Sequence, residues 1–441
     1  MQHHKPLTLH HNFSWTFIGN LVYAACQWGM LVVLAKLGSP EMVGQFTLGL
    51  AVTAPIIMLT NLQLQHVQAT DVVHQYLFGD YLGLRVISTV LALLVIVLIT
   101  LIAGYRWETS LIILLIGLAK GFESISDVFY GLLQKYERMD RVAISMMIKG
   151  PLSLLLLGIG VYMSSSVTWG TVGLTVAWAL VLLCYDIRTS TNILNYQATP
   201  HSEETRIQNT VNGVQPQWNL KQLTKLVRLT LPLGIVMMLI SLNSNIPRYF
   251  IERQLGEREL GIFAALAYLT ILGNMVVTAL GQSATPMLAK YYASGNGTAF
   301  RALLFKLVGI GAILGGAVVL VTLVIGKEIL TIVYQSEYGQ HKDLFVWLMV
   351  AAAINNVSSF LGYGMSAARY FRIQIPLFVI VTGTLALACL WLLPNYGLRG
   401  AAIALLIAAV VQAGLSLGVI IYALFRINRR GDRESEPLSQ V

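Results

Sequence analysis

Apolar runs of about 20 residues alternate with short polar breaks along nearly the whole chain. About twelve such runs are visible, at 13–35, 43–65, 82–104, 109–133, 143–163, 168–187, 229–250, 260–282, 302–325, 344–366, 375–393 and 399–424. Each matches a bilayer core roughly 30 Å thick. Backbone polar groups find no water there, so the runs are predicted to be helices. The first run is long and ends in a plain loop, and is kept as a span rather than a cleaved signal. The longest polar stretch, 188–228, separates six spans from six. Its last part, Leu220 to Arg228, has apolar residues at helical spacing with basic residues between, which predicts a separate helix lying at the membrane interface. Val67 to Tyr81 has a similar interfacial character. The expected division is an N-terminal six-helix lobe at 1–187, a cytoplasmic linker at 188–228, a second lobe at 229–425 and a tail at 426–441.

The two halves repeat each other. Leu37-Gly38-Ser39-Pro40-Glu41-Met42-Val43-Gly44-Gln45-Phe46 follows the first run, and Leu255-Gly256-Glu257-Arg258-Glu259-Leu260-Gly261-Ile262-Phe263 follows the seventh. Leu-Gly, an acid three residues after that Gly, then Gly and Phe recur in order. A second match pairs Tyr136-Glu137-Arg138 after span four with Tyr370-Phe371-Arg372 after span ten. Six spans is an even number, so both halves begin on the same side of the membrane. The expected fold is all-α, with two parallel six-helix lobes related by a pseudo-twofold axis along the membrane normal.

Composition supports the membrane setting. The chain is 56% hydrophobic and only 11% charged, against about 25% charged in soluble domains. Most of the 29 Lys and Arg fall in one alternate set of loops, including Lys135, Arg138, Arg141, Arg188, Lys221 and Arg430. The positive-inside rule then puts both termini in the cytoplasm. The net charge of +9 suits an inner face beside anionic lipid and needs no nucleic acid. The cysteines, Cys26, Cys184 and Cys389, lie in apolar runs without metal or disulfide spacing. The N-terminal His3, His4, His10 and His11 lack companion ligands for a metal site. No phosphate loop or hydrolase motif is visible, so neither an ATPase nor an enzyme is expected.

With the doubled Leu-Gly turn, the Asn-rich seventh run (Asn243, Asn245, with Pro247-Arg248) and the basic loop after span four, residues 12–425 resemble polysaccharide or O-antigen flippases. These belong to the multidrug/oligosaccharidyl-lipid/polysaccharide exporter superfamily. The resemblance implies translocation of a polyprenyl-diphosphate-linked oligosaccharide across the cytoplasmic membrane by alternating access between two lobes. It implies the lipid-linked glycan, the bilayer and other polysaccharide-assembly membrane proteins as partners. It implies no resident cofactor, and transport against a gradient needs a coupling ion such as H+ or Na+. Lipid II flippases of the superfamily usually have two further C-terminal helices, and twelve spans argue against that subgroup. The alternatives are a cation-coupled multidrug antiporter, a membrane polysaccharide polymerase and, more remotely, a channel. A polymerase is expected to show a long outer loop and no half-chain repeat.

Ionisable residues inside spans are the candidate site, because mid-bilayer charge normally faces a protein interior or a wet cavity. Lys120, Glu123 and Asp127 share one helix face by their spacing of three and four. Lys149 stands as far after the turn at Arg138 as Asp127 stands before it, which predicts an Asp127–Lys149 pair. The network either braces two helices or forms a charged wall of the cavity. Arg248, after Pro247, either snorkels to the outer interface or offers its fork to a phosphate. Gln27 and Asn245 occupy matching repeat positions and are expected to face one another across the lobes, as substrate contacts or as helix–helix glue. Arg85, near the start of span three, is expected to snorkel or to meet an incoming head group.

Overall fold

The apolar runs fold as helices in a computed structural model that describes residues 9–71, 75–197 and 215–435. No strand occurs among the described residues. The histidines at 3 and 4, the middle of the linker (198–214) and the end of the tail lie outside them.

The chain packs as two units, Met1–Ser241 and Leu242–Val441. The first holds α1 (Leu9–Leu37), α2 (Pro40–Asn61), α3 (Leu64–Thr70), α4 (Phe78–Ala103), α5 (Trp107–Lys135), α6 (Met139–Ser164) and α7 (Val167–Val181). A π-helical turn, Leu182–Asp186, leads on to α8 (Ile187–Gln197). Helix α9 (Leu220–Leu255) runs across the unit boundary. The second unit continues with α10 (Glu257–Tyr268), α11 (Ile271–Ala293), α12 (Gly297–Val333), the short α13 (Ser336–Gly339), α14 (Lys342–Ala367) and α15 (Phe371–Ser435).

Among the described residues, nine helices are long and apolar enough to cross a membrane, or ten with the bent pair of α10 and α11. Helix α15 breaks at Gly397, whose φ of 57° and ψ of −138° are not helical. A left-handed φ is open to glycine at little cost, so one apparent helix is two spans. Helix α5 is 29 residues long and packs among α2, α4 and α7. Dividing α15 and adding α5 gives the twelve spans expected.

The predicted interfacial helix at 220–228 is not separate. It is the start of α9, and Leu223 and Leu226 are buried with Leu62, Tyr81, Leu82, Phe129 and Leu182. That burial attaches the beginning of α9 to the first unit and moves the division from 188–228 to within α9. The preceding stretch of chain is also docked. The Gln217 amide donates to the Gly79 carbonyl at 2.8 Å. A Cβ at Gly83 would overlap the Gln217 carbonyl oxygen, so only glycine permits this approach.

Both repeat motifs are helix boundaries. Ser39 caps α2, accepting from the Met42 amide at 3.4 Å, with Pro40 following. Gly256, at φ 94°, opens α10 in the same way. The Val43 amide bonds to the Ser39 carbonyl and the Leu260 amide to the Gly256 carbonyl, each at 3.2 Å. In the second half Gly256 itself is the cap residue, which accounts for the missing residue. The other motif shifts register. Glu137 (φ 54°) and Arg369 (φ 62°) are the left-handed residues that end α5 and α14. Arg138 N bonds Leu133 O at 2.9 Å, as Tyr370 N bonds Met365 O at 3.0 Å. Arg138 therefore matches Tyr370, two positions from the Tyr136–Tyr370 match read in the sequence.

Candidate functional site

The ionisable face of α5 lies inside the first unit, where α1, α2, α4, α6 and α7 each contribute a polar group. Three connected clusters result.

The first contains Lys120 and Glu123. Their salt bridge is 2.7 Å long, with side chains 24% and 22% exposed. Tyr23 of α1 donates its hydroxyl to the other Glu123 oxygen at 2.5 Å. The Lys120 ammonium also lies 4.8 Å from the centre of the Trp178 ring, a cation–π contact. The expected i,i+3 pair is present and partly exposed.

The second centres on Asn61, at the end of α2. Its side-chain oxygen accepts from Arg85 Nη1 at 2.5 Å. Its amide donates to Asp127 Oδ2 at 3.5 Å. Arg85 is only 1% exposed, which corrects the expectation that it snorkels. It sits two turns into α4, held by Asn61 at the end of α2.

The third is closed. Lys149 of α6 is paired not with Asp127 but with Asp186, at 3.8 Å. It also donates to Tyr130 Oη at 2.9 Å. Ser145 donates to Asp186 Oδ1 at 2.5 Å and Ser126 to Oδ2 at 2.7 Å. Tyr130 and Ser145 are 2.8 Å apart. The single Ser145 proton is directed to Asp186, so Tyr130 is the donor to Ser145. Lys149, Tyr130, Ser145 and Asp186 form a ring in which each group has a polar partner on either side. Beside it, Ser153 donates to the Lys149 carbonyl at 2.5 Å and accepts from Trp178 Nε1 at 2.7 Å.

Sequence reasoning missed Asp186, Tyr130, Asn61 and Tyr23. Asp186 ends the π-helical turn, whose extra residue per turn rotates the following side chains and aims its carboxylate inward. One signal was available. Ser126 and Tyr130, like Ser145 and Lys149, are four apart and mark facing polar stripes on α5 and α6.

The remaining candidates do not join these clusters through any described contact. In the first unit, Gln27 Nε2 is shielded without a hydrogen-bond partner. In the second, Arg248 Nη1 donates to Asn245 Oδ1 at 3.1 Å, while Arg248 Nε is shielded and unpartnered. Asn245 is 6% exposed. Arg248 is thus partnered along its own helix and half-buried. The three cysteines are free, and no cluster of His, Cys, Asp and Glu suited to a metal occurs among the described residues.

The geometry defines an all-α, multi-pass membrane protein with a charged network set into spanning helices. The chain belongs to the polysaccharide biosynthesis protein family, whose pattern matches residues 9–292. It is 27% identical over 400 residues to the capsular polysaccharide biosynthesis protein CapF of Staphylococcus aureus, covering 91% of this chain and 96% of that one. Its fold is similar to an inward-facing multidrug resistance MATE family transporter of the MOP superfamily, with a TM-score of 0.70 and 15% identity over 96% of each chain. It is equally similar to the lipid II flippase MurJ in an inward closed conformation, with a TM-score of 0.70, 12% identity and coverage of 93% and 89%.

Proposed function

We propose that the protein flips a polyprenyl-diphosphate-linked oligosaccharide, a repeat unit of O-antigen, capsule or exopolysaccharide, across the cytoplasmic membrane. The carrying observation is the partly exposed Lys120–Glu123 pair on a helix that spans the membrane. Charge is kept at such depth where it meets a polar cargo or water. The family and the capsular relative support a glycan as that cargo.

In this reading both termini are cytoplasmic. The glycan and its diphosphate pass through the protein while the polyprenyl tail stays in lipid. Lys120, Glu123, Asp127, Arg85, Gln27, Asn245 and Arg248 are the polar contacts offered along the path, and Lys149 braces α5 from behind. No bond is made or broken, and transport rests on differential binding of cargo in two conformations. Coupling to H+ or Na+ supplies direction where the cargo moves against a gradient.

The test is deletion of the gene in its own host. Loss of surface polysaccharide, with lipid-linked repeat units accumulating inside, is expected. Unchanged surface polysaccharide with new sensitivity to cationic drugs would overturn the reading in favour of multidrug export.

A further inference from the structure

Buried cations in the first unit are treated in two different ways. Lys149 has the Tyr130 hydroxyl and the Asp186 carboxylate. Arg85 is just as buried, at 1% exposed, yet no carboxylate among the described residues is within ion-pair distance of it. It makes one side-chain hydrogen bond, to Asn61, although a guanidinium carries five N–H donors. Its Nε is shielded and unpartnered.

The surroundings share this deficit. Thr89, one turn along α4 from Arg85, has a shielded hydroxyl with no partner, and so has Ser124, three residues before Asp127 on α5. A Cβ on Gly121, on the same turn of α5 as Ser124, would come within 3.3 Å of the Thr89 methyl, so these positions meet at the α4–α5 seam. Asp127 acts on Arg85 through its charge but without direct contact. Asn61 presents its oxygen to Arg85 and its amide to Asp127, with the latter bond stretched to 3.5 Å. The other charges acting on Asp127 are Glu123, Lys149 and Lys120.

We propose that Arg85, with Asn61 beside it, is an anion-binding site for a phosphate or diphosphate group, and that Asp127 is the internal counter-ion the ligand displaces. A buried cation that lacks a direct partner is costly to keep, and a guanidinium fork matches phosphate oxygens in pairs. Asn61 holds the fork in place while leaving most of its donors unused. Asp127 supplies the compensating charge in the empty state, near enough to offset Arg85 and too far to saturate it. This inference rests on the flippase reading, in which the diphosphate of the cargo is the natural ligand.

The experiment is equilibrium binding to the purified full-length protein in nanodiscs, with farnesyl diphosphate and inorganic pyrophosphate as separate probes. Asp127→Asn removes the competing charge and should tighten binding by about tenfold. Asn61→Asp puts a fixed anion against Arg85 and should weaken binding by about tenfold or more. Arg85→Gln should abolish it, and the first two variants decide the matter if that protein fails to fold. A response to farnesyl diphosphate alone identifies a lipid head group as the ligand, and a response to both probes shows that phosphate chemistry suffices. Absence of binding by wild type, or binding indifferent to Asp127→Asn and Asn61→Asp, overturns the site. Indifferent variants would leave the flippase reading standing, since gene deletion tests that reading by itself.

Discussion

The ammonium of Lys149 lies 3.8 Å from the carboxylate of Asp186, and their side chains are 2% and 0% exposed. The pair ties α6 to the π-helical turn after α7, while Tyr130 accepts from Lys149 and Ser126 and Ser145 donate to Asp186. Such a pair adds little over a well-packed apolar core, but breaking one side strands a buried charge.

Lys149→Met or Asp186→Asn alone is therefore expected to cost about 3–5 kcal/mol of stability. The double variant should recover a large part of that loss. A thermal or denaturant unfolding series on the purified proteins gives the coupling, and strict additivity of the two single losses would disprove the pairing.

Close backbone approach makes a second, independent stability prediction. Gly83→Ala would drive a methyl group into the Gln217 carbonyl oxygen, a fixed backbone atom that cannot swing away. The expected cost is about 1–3 kcal/mol, as for other overpacked sites. Gly309 has nothing within 4 Å of its added Cβ, so Gly309→Ala should be neutral or slightly stabilising. Equal melting temperatures for the two variants would show that the 215–217 segment does not dock on α4.

The spans were legible because bilayer thickness imposes a length on apolar runs, and length survives in the sequence. The Lys120–Glu123 pair was legible because helical spacing alone brings the two together. The partner of Lys149 was not. Symmetric distance from the Arg138 turn favoured Asp127, but depth along a helix says nothing about rotation around it. The π-helical turn at Leu182–Asp186 changes that rotation and delivers a carboxylate that reads, in sequence, as the polar end of a span. The snorkelling alternative for Arg85 fails for a related reason. Its place near a helix start suggests access to the interface, whereas the Asn61 side chain that holds it is a tertiary contact. The second repeat motif failed by two positions because side chains were aligned where the repeated object is a backbone turn. Glu137 and Arg369, chemically opposite, share the left-handed conformation that ends each helix.

Orientation has its own test. The excess of Lys and Arg on one set of loops predicts cytoplasmic termini and a cytoplasmic 188–228 segment. In a variant lacking Cys26, Cys184 and Cys389, a single cysteine at Thr205 should resist an impermeant thiol reagent added to intact cells. A single cysteine at Glu257, the first residue of α10, should react. Labelling at 205 from outside would reverse the assigned topology.

The last prediction separates transport from bracing on α5. Lys120 is the cation of the network that is partly exposed, 24% by side chain, with Glu123 at 22%. Lys149 is enclosed and answers to Asp186. If the open pair contacts cargo, its variants should lose transport without losing stability. Lys120→Gln keeps length and polarity but removes the charge, and should insert normally while glycan export falls to about a tenth of wild type or less. Lys120→Arg keeps a cation and should retain more activity, though its planar fork is not equivalent to an ammonium. Tyr23→Phe removes the hydroxyl that fixes Glu123 from α1. It should weaken export less than Lys120→Gln, because the salt bridge survives. Export is measured against membrane-inserted protein, with melting temperature as the control. Full export by Lys120→Gln would leave the exposed pair a helix brace. Loss of export in step with melting temperature across all three variants would also make the pair a brace, because a contact with cargo has no reason to track stability.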